Sequence, residues 1–512
     1  MKIPTTTFET KFADSIVAVL SCFDRVIFKG YLPFGGDGHL NAFVDRVLRI
    51  PRKDFIPELE HMSQQLVEHA QEMARKAGAP YHYLQGQHSK ERLVDQIARE
   101  RGHPQGLLAV LCCQETCRTV KLRYAQSRPR LEFARRPQRV LYYYFLDPEF
   151  GRVYVRVQSW FPFTVQVYVN GHEWLAQQML RRRLGFVQED NAFTELDNAQ
   201  QAQALADRFP TLRWQEQLGR WARLVNPLLS RGWLRGRPYR WVLDQVELST
   251  DVIFRDAAAL KPLYERLLDH AAVNFSAQDI LGFLGRRLHP RFDGEVVTEC
   301  KKDRWPGARI KHRVKNNWLK MYDKFGRMLR IETVINQPRE FKVRRARQRG
   351  GKRKMVWCPM NKGIANFYQY HAAALAANLR YLEALSVVDD PAPCYQQVES
   401  LVQSRKIGER SYAGFNPARE EDVRVFRAVL RGENGLRGFR NAEIRRVLFG
   451  ESPCSRTRRR QSAAIGRILK RLHVRGLLAK IPHTRRWQTT PSGHLLLGKI
   501  IRLYYHGLAN AI

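Results

Sequence analysis

The run Lys320-Met321-Tyr322-Asp323-Lys324, followed by Leu329-Arg330-Ile331-Glu332-Thr333, sets a phenol among ammonium groups ahead of an Arg-x-Glu segment. A phenol with a pKa near 10 is a weak nucleophile at neutral pH until a cation or a base assists it. Lys324 is two residues from Tyr322, hence on the same face if the segment is a strand. Upstream, Val246-Glu247-Leu248-Ser249-Thr250-Asp251 offers two carboxylates at i, i+4, again one face of a strand. Asp24, in Phe23-Asp24-Arg25-Val26, is a fainter counterpart near the start. His312 lies in a basic segment and reads either as a base or ligand or as a surface residue. The competing reading is plain: among 19 tyrosines, Tyr322 is a half-buried strand residue, Lys324 faces solvent and Glu332 pairs with an arginine.

Other chemistry is poorly represented. There is no G-x-G-x-x-G after a strand and no H-E-x-x-H. No two histidines flank one hydrophobic residue. Gly493, Gly498 and Lys499 match phosphate-loop spacing, but Ile500 replaces the metal-binding hydroxyl and the stretch between reads as helix interior. Phe34-Gly35-Gly36-Asp37-Gly38 is a glycine-rich turn without a lysine. Cys112, Cys113 and Cys117 lack a second pair at ligand spacing and read as small core residues beside a buried strand. His483-Thr484-Arg485-Arg486 with Tyr504 and Tyr505 mimics the end of a tyrosine recombinase, without the upstream arginine context.

The elements that must position these groups belong to a 512-residue chain with 87 Lys+Arg against 49 Asp+Glu, a net +38. Hydrophobic residues make up 44% of it, enough for packed cores, so the charge does not signal disorder. A folded protein this cationic points to a polyanion, most simply nucleic acid. The early apolar stretch Ser15 to Phe23 is too short for a signal peptide, and no run of about 20 apolar residues suggests a membrane span. A reduced, cytoplasmic, nucleoid-associated location without a membrane partner is the expectation.

The pattern predicts an α+β, multidomain protein with an antiparallel sheet core, helices and a C-terminal winged helix-turn-helix. A β-rich run covers Phe23 to Tyr31, with helices at 38–50, 53–78 and 88–101. Strand 107–115 precedes a meander of Arg139 to Leu146, Arg152 to Trp160 and Phe163 to Val169. After helices at 197–208 and 213–229, a strand runs from Tyr239 to Phe254. Short strands follow at Arg309-Ile310-Lys311, 318–322 and 328–333. A hairpin pairs Phe341 to Arg345 with Lys354 to Trp357 through Gly350-Gly351; its tip carries Arg344, Arg345, Arg347, Arg349, Lys352 and Arg353. Helix 361–386 leads to a linker, Asp389-Asp390-Pro391-Ala392-Pro393. The domains expected are 1–136, an α/β region; 137–358, the sheet-rich core; 359–416, connector and linker; and 417–512, the DNA-binding domain.

Residues 421–512 hold 20 Lys+Arg and 5 Asp+Glu. Helices at 418–431, 441–448 and Thr457 to Arg475, then strands at Leu477 to Ile481 and Trp487 to Thr490, resemble a winged helix-turn-helix. That resemblance implies a recognition helix carrying Arg456, Arg458, Arg459, Arg460 and Arg467, and a wing carrying Arg485 and Arg486, on duplex DNA.

The order acidic strand, Y-D-K strand, R-x-E strand resembles the nicking core of rolling-circle plasmid and filamentous-phage replication initiators. The match covers about a fifth of the chain and its motifs are short. It implies Tyr322 as nucleophile, with Lys324 and His312 assisting, and magnesium or manganese held by Glu247, Asp251 and Glu332 through oxygen ligands. The spacing from Asp251 to Tyr322 is longer than in that family, and the N-terminal helices have no counterpart there. The whole chain also resembles often multicopy bacterial proteins described as winged-helix regulators, which implies no chemistry. The expected function is thus a DNA-binding protein of a mobile element or replicon that nicks single strands. The alternatives are a non-enzymatic regulator, or an RNA-binding protein stacking bases on Tyr142, Tyr143, Tyr144 and Tyr154.

Overall fold

The computed structural model describes residues 6–35, 39–86, 89–125, 128–286, 295–301, 308–349, 352–388, 395–430, 438–452, 454–482 and 484–504. The linker 389–394, the Gly350-Gly351 turn, His483 and Tyr505 lie outside them. Strands β1 (Ile16–Tyr31), β2 (Tyr81–Leu84), β3 (Gly106–Ala125), β4 (Arg128–Asp147), β5 (Gly151–Gln158) and β6 (Val165–Val169) come first, followed by a small hairpin, β7 (Phe186–Glu189) and β8 (Ala192–Leu196). Then come β9 (Arg240–Phe254), β10 (Val296–Lys301), β11 (Arg309–Val314), β12 (Asn317–Lys324) and β13 (Met328–Ile335). Eleven of these form one sheet in the order β10-β11-β12-β13-β9-β1-β6-β5-β4-β3-β2. The sheet is mixed rather than purely antiparallel, because β2 runs parallel to β3.

By compactness the chain forms two units. The first comprises Met1–Val19, Thr250–Thr333 and Ala373–Ile512; the second comprises Leu20–Ser249 and Val334–Ala372. In the first, the strand pattern follows burial. Leu319 and Met321 of β12 and Ile310 of β11 point into a core with Phe8, Leu263, Leu329, Tyr381 and Leu385. Trp318, Lys320 and Tyr322 alternate to the other face and are half-buried. Every residue of β13 is buried, so its polar side chains must find partners inside the protein. Phe325 and Gly326, both at positive φ, make the turn into β13 that the Phe325-Gly326-Arg327 sequence predicts.

The end of the chain packs helices Glu420–Val429, Asn441–Phe449 and Ser455–Val474 around Phe426, Ile444, Ile465, Leu469 and Leu472. A two-stranded hairpin follows, β18 (Leu478–Lys480) with β19 (Trp487–Thr489), and Trp487 also bridges to Phe439. The last helix, Pro491–Leu503, contains Gly493 and Lys499, so the phosphate-loop spacing there is helix interior. A Cβ on Gly493 would stand 2.0 Å from the Leu477 carbonyl oxygen, which explains this glycine by close approach.

In the second unit, β3 and β4 pair over their whole length, from Gly106↔Leu146 to Ala125↔Arg128, far beyond the 107–115 and 139–146 segments predicted. Cys112, Cys113 and Cys117 are buried free thiols, with Cys113 and Cys117 in the core between this pair and helix Lys90–Glu100. Burial pushes the Cys113 thiol up to about 11. Tyr142, Tyr143 and Tyr144 are buried, and Tyr154 stacks on Tyr168 with ring centroids 4.9 Å apart. The base-stacking surface expected of these tyrosines is therefore absent, because their rings build the core. The basic hairpin forms as β14 (Lys342–Arg349) with β15 (Lys352–Pro359), and β16 (Arg405–Ile407) pairs with β17 (Arg410–Tyr412) in the first unit. No helix among the described residues is long and apolar enough to cross a membrane.

Candidate active site

Within the first unit, β12 and β13 set Tyr322, Lys320 and Glu332 side by side. Tyr322 Oη donates to Glu332 Oε2 at 2.8 Å, and Lys320 Nζ donates to Glu332 Oε1. Glu332 is 2% exposed; a carboxylate that deep needs such charged and hydrogen-bonding partners to remain ionised. The antiparallel register places Arg309 opposite Tyr322 and Lys311 opposite Lys320, so this face carries several cations around one phenol. Lys311 lies 4.6 Å from the Trp318 ring centroid. Its ammonium is shifted below the ordinary lysine value, first by burial, against the attraction of Glu299.

A second cation stands beside the tyrosine as well as the expected Lys324. Lys324 is 5% exposed and sits 4.9 Å from the Phe325 ring centroid. Lys320, two residues on the other side, is the one that reaches the carboxylate bonded to Tyr322. Lys320 had the same parity signal in the sequence, and only the missing strand partner kept it hidden.

Asp251 takes another part. Arg330 Nε donates to Asp251 Oδ1 at 2.6 Å and Arg330 Nη2 to Asp251 Oδ2 at 2.7 Å, with both groups fully buried. This two-pronged ion pair uses both carboxylate oxygens, so Asp251 neutralises the core arginine rather than joining a ligand group. Thr333 and Thr250 instead meet Asn378, on the other face of their strands.

His312 is likewise removed from the phenol. It projects from β11 opposite Leu319, on the core side, with Nδ1 2.9 Å from Thr298 Oγ1 and Nε2 2.9 Å from Tyr381 Oη. Burial pushes its pKa down to about 4, so it is a neutral structural imidazole. The expectation of a base or ligand is corrected by the pleat: His312 and Tyr322 belong to opposite faces.

In the second unit, β1 and β9 contribute Asp24 and Glu247, 8% and 6% exposed. Asp24 accepts from Asn191 Nδ2 and lies 3.6 Å from His172 Nδ1. Glu247 accepts from Gln245 Nε2. His172 is held by a helix start: Asn170 caps helix Gly171–Arg181, its side chain accepting from the His172 amide at 2.8 Å. Gly171 lets that start press on β1, since a Cβ there would stand 2.4 Å from the Phe23 carbonyl oxygen. The carboxylates of Asp24 and Glu247 each offer an oxygen, within 4.8 Å of one another. This all-oxygen donor set fits a hard divalent cation better than zinc. Asp24 thus stands where Asp251 was expected.

The basic residues divide. Arg456, Arg458, Arg459, Arg460 and Arg467 are exposed on helix Ser455–Val474, as is Arg485 beyond β18. Arg486 is tied down, donating to the Gly438 carbonyl at 2.8 Å and lying 3.5 Å from Glu443. Arg344 and Arg353 are exposed on the hairpin, whereas Arg345 donates to Asn366 Oδ1. The side chains of Arg347 and Lys352 lie outside the description. Comparison of the chain with protein-family models, with curated proteins and with solved structures returned no match.

Proposed function

We propose that this protein binds DNA and cleaves a single strand by attack of Tyr322 on a backbone phosphodiester. The observation that carries the reading is the hydrogen bond from Tyr322 Oη to Glu332, a buried carboxylate that also meets Lys320. Glu332 is placed to take the phenolic proton as the tyrosine oxygen bonds to phosphorus and the phosphorus–oxygen bond to the leaving nucleotide breaks. The strand then ends in a phosphotyrosine on one side and, after protonation from solvent, a free hydroxyl on the other. Lys320, Lys311 and Arg309 counter the negative charge that develops on the phosphoryl oxygens. A divalent cation, magnesium or manganese, would be held through carboxylate oxygens, Glu332 among them, and would polarise the scissile phosphate.

The order of three helices and a hairpin at the C-terminus, with exposed arginines on the third helix, supports a winged helix reading duplex DNA beside the cleaved strand. A protein that grips a duplex and cuts a strand suits a mobile element or replicon in the cytoplasm. The test is incubation of the full chain with a pool of single-stranded oligonucleotides and magnesium or manganese. A covalent protein–DNA adduct that survives denaturation, and that Tyr322→Phe removes, is expected. An adduct retained by Tyr322→Phe would overturn the assignment of the nucleophile.

A further inference from the structure

The second unit contains an open cleft of about 1060 Å³ that the cleavage chemistry does not use. Its walls come from the end of β1, the start of β9 and the 361–365 segment, closed where Leu243 N donates to the Lys362 carbonyl at 2.7 Å. Five aromatic side chains line it: Tyr31, Phe34, Phe43, Tyr239 and Trp241. Phe34 and Phe43 stack with centroids 4.1 Å apart. Arg237 covers that stack, its guanidinium carbon 5.7 and 5.4 Å from the two centroids, held by its Nε donating to the Trp233 carbonyl at 2.8 Å. Trp241 can lie against β1 because residue 30 is glycine; a Cβ there would stand 2.9 Å from the indole ring. Tyr31, 39% exposed, presents its ring to the opening.

The charge in this cleft is one-sided. Arg237 and Arg240 line it, and none of the described lining residues is acidic. Lys362 is also there but is engaged with Asp244 at 3.2 Å. Flat aromatic faces beside guanidinium groups, with no carboxylate, complement a ligand that joins a planar ring to an anion. We infer that this cleft binds a nucleobase together with its phosphate, the base stacking on Tyr31 and the phosphate meeting Arg237 and Arg240. Stacking of a base on an aromatic side chain shows little sequence preference. The same chemistry is offered by a free nucleotide and by a segment of single-stranded nucleic acid, and the volume suits either.

The inference stands apart from the cutting reaction, so its test uses the full chain in EDTA, where metal-dependent cleavage is blocked. Fluorescein-labelled oligothymidylate carrying 4-thiothymidine is titrated, then irradiated, and the crosslinked peptides are sequenced. Crosslinks within 31–47 or 237–241 are expected, with Tyr31→Ala and Arg240→Glu each weakening that crosslinked binding about tenfold. Both side chains are exposed, so neither change disturbs a core. Competition by thymidine monophosphate at the affinity of the oligomer identifies a free nucleotide as the ligand; competition only by unlabelled oligothymidylate identifies a strand segment. Crosslinks confined to other peptides overturn the inference. So does displacement by polyglutamate as effective as by oligothymidylate, because an anionic peptide would then satisfy the cleft.

Discussion

Glu332 accepts the hydroxyl of Tyr322 on one carboxylate oxygen and the ammonium of Lys320 on the other. The phenol, its proton acceptor and a charge-balancing cation are thereby locked together across two adjacent strands. Glu332→Gln keeps the size of the side chain but removes the proton acceptor and one anionic oxygen donor. Adduct formation should fall by about a hundredfold or more, the scale of losing one electrostatic contributor in an active site. Rates of adduct formation in magnesium check this, and a Glu332→Gln protein as fast as wild type would remove Glu332 from the chemistry.

Arg330 and Asp251 form an ion pair with no access to solvent. Taking away one member leaves the other buried and uncompensated, which costs about 3–5 kcal/mol, whereas an apolar pair of similar volume is often tolerated. Asp251→Leu should therefore lower the urea midpoint strongly, and Asp251→Leu with Arg330→Met should recover most of the loss. If Asp251 were a metal ligand instead, Asp251→Leu would remove the stabilisation that magnesium gives wild type and the double variant would recover nothing.

The strands around Tyr322 and their chemistry-bearing faces were legible because alternation is a local signal: Leu319 and Met321 go in, so Lys320 and Tyr322 go the other way. Partner choice was not legible. Asp251 and Glu247 share a strand face in sequence, yet only a neighbouring strand decides that Arg330 claims the first. His312 looked like a basic-segment surface residue or a base, and the two-residue period alone would have put it opposite Tyr322 had the β11 register been known. The long arms of β3 and β4 escaped notice because Arg118, Arg123, Arg130 and Arg135 interrupt the apolar pattern while backbone pairing continues through them. Asp24 acquires its place only through β1, 223 residues before Glu247, a separation that spacing rules do not bridge.

Gly171 carries an argument about placement rather than chemistry. A methyl group there would collide with the Phe23 carbonyl, backbone against backbone, and displace the helix that sets His172 beside Asp24. Gly171→Ala should lower the thermal midpoint, consistent with overpacking costs of about 1–3 kcal/mol. It should also weaken manganese binding measured by calorimetry. A loss of stability with unaltered manganese affinity would separate the helix start from the acidic group.

On helix Ser455–Val474, Arg456, Arg458, Arg459 and Arg460 are exposed together. Each phosphate neutralised on duplex DNA releases counterions, so the logarithm of affinity falls with the logarithm of salt by about 0.9 per contact. Replacing all four by glutamine should weaken duplex binding and flatten that dependence by about three to four. Titrations from low to moderate salt give the slope directly. An unchanged slope would place the duplex elsewhere on the protein.

His312 supplies a pH dependence with a definite sign. Its folded-state value is about 4, against an ordinary value of 6.5, because burial disfavours the imidazolium. Between these values the unfolded chain binds the proton and the folded one does not, so stability rises with pH across that window. The neutral ring's contribution is complete above about pH 6.5 and is lost progressively as pH falls towards 4. A shift of this size corresponds to about 3 kcal/mol. In His312→Gln, whose amide can still bond Thr298 and Tyr381 but cannot titrate, the urea midpoint should change less between pH 7 and pH 4.5 than in wild type. Parallel pH profiles for the two proteins would mean that some other group carries the acid sensitivity.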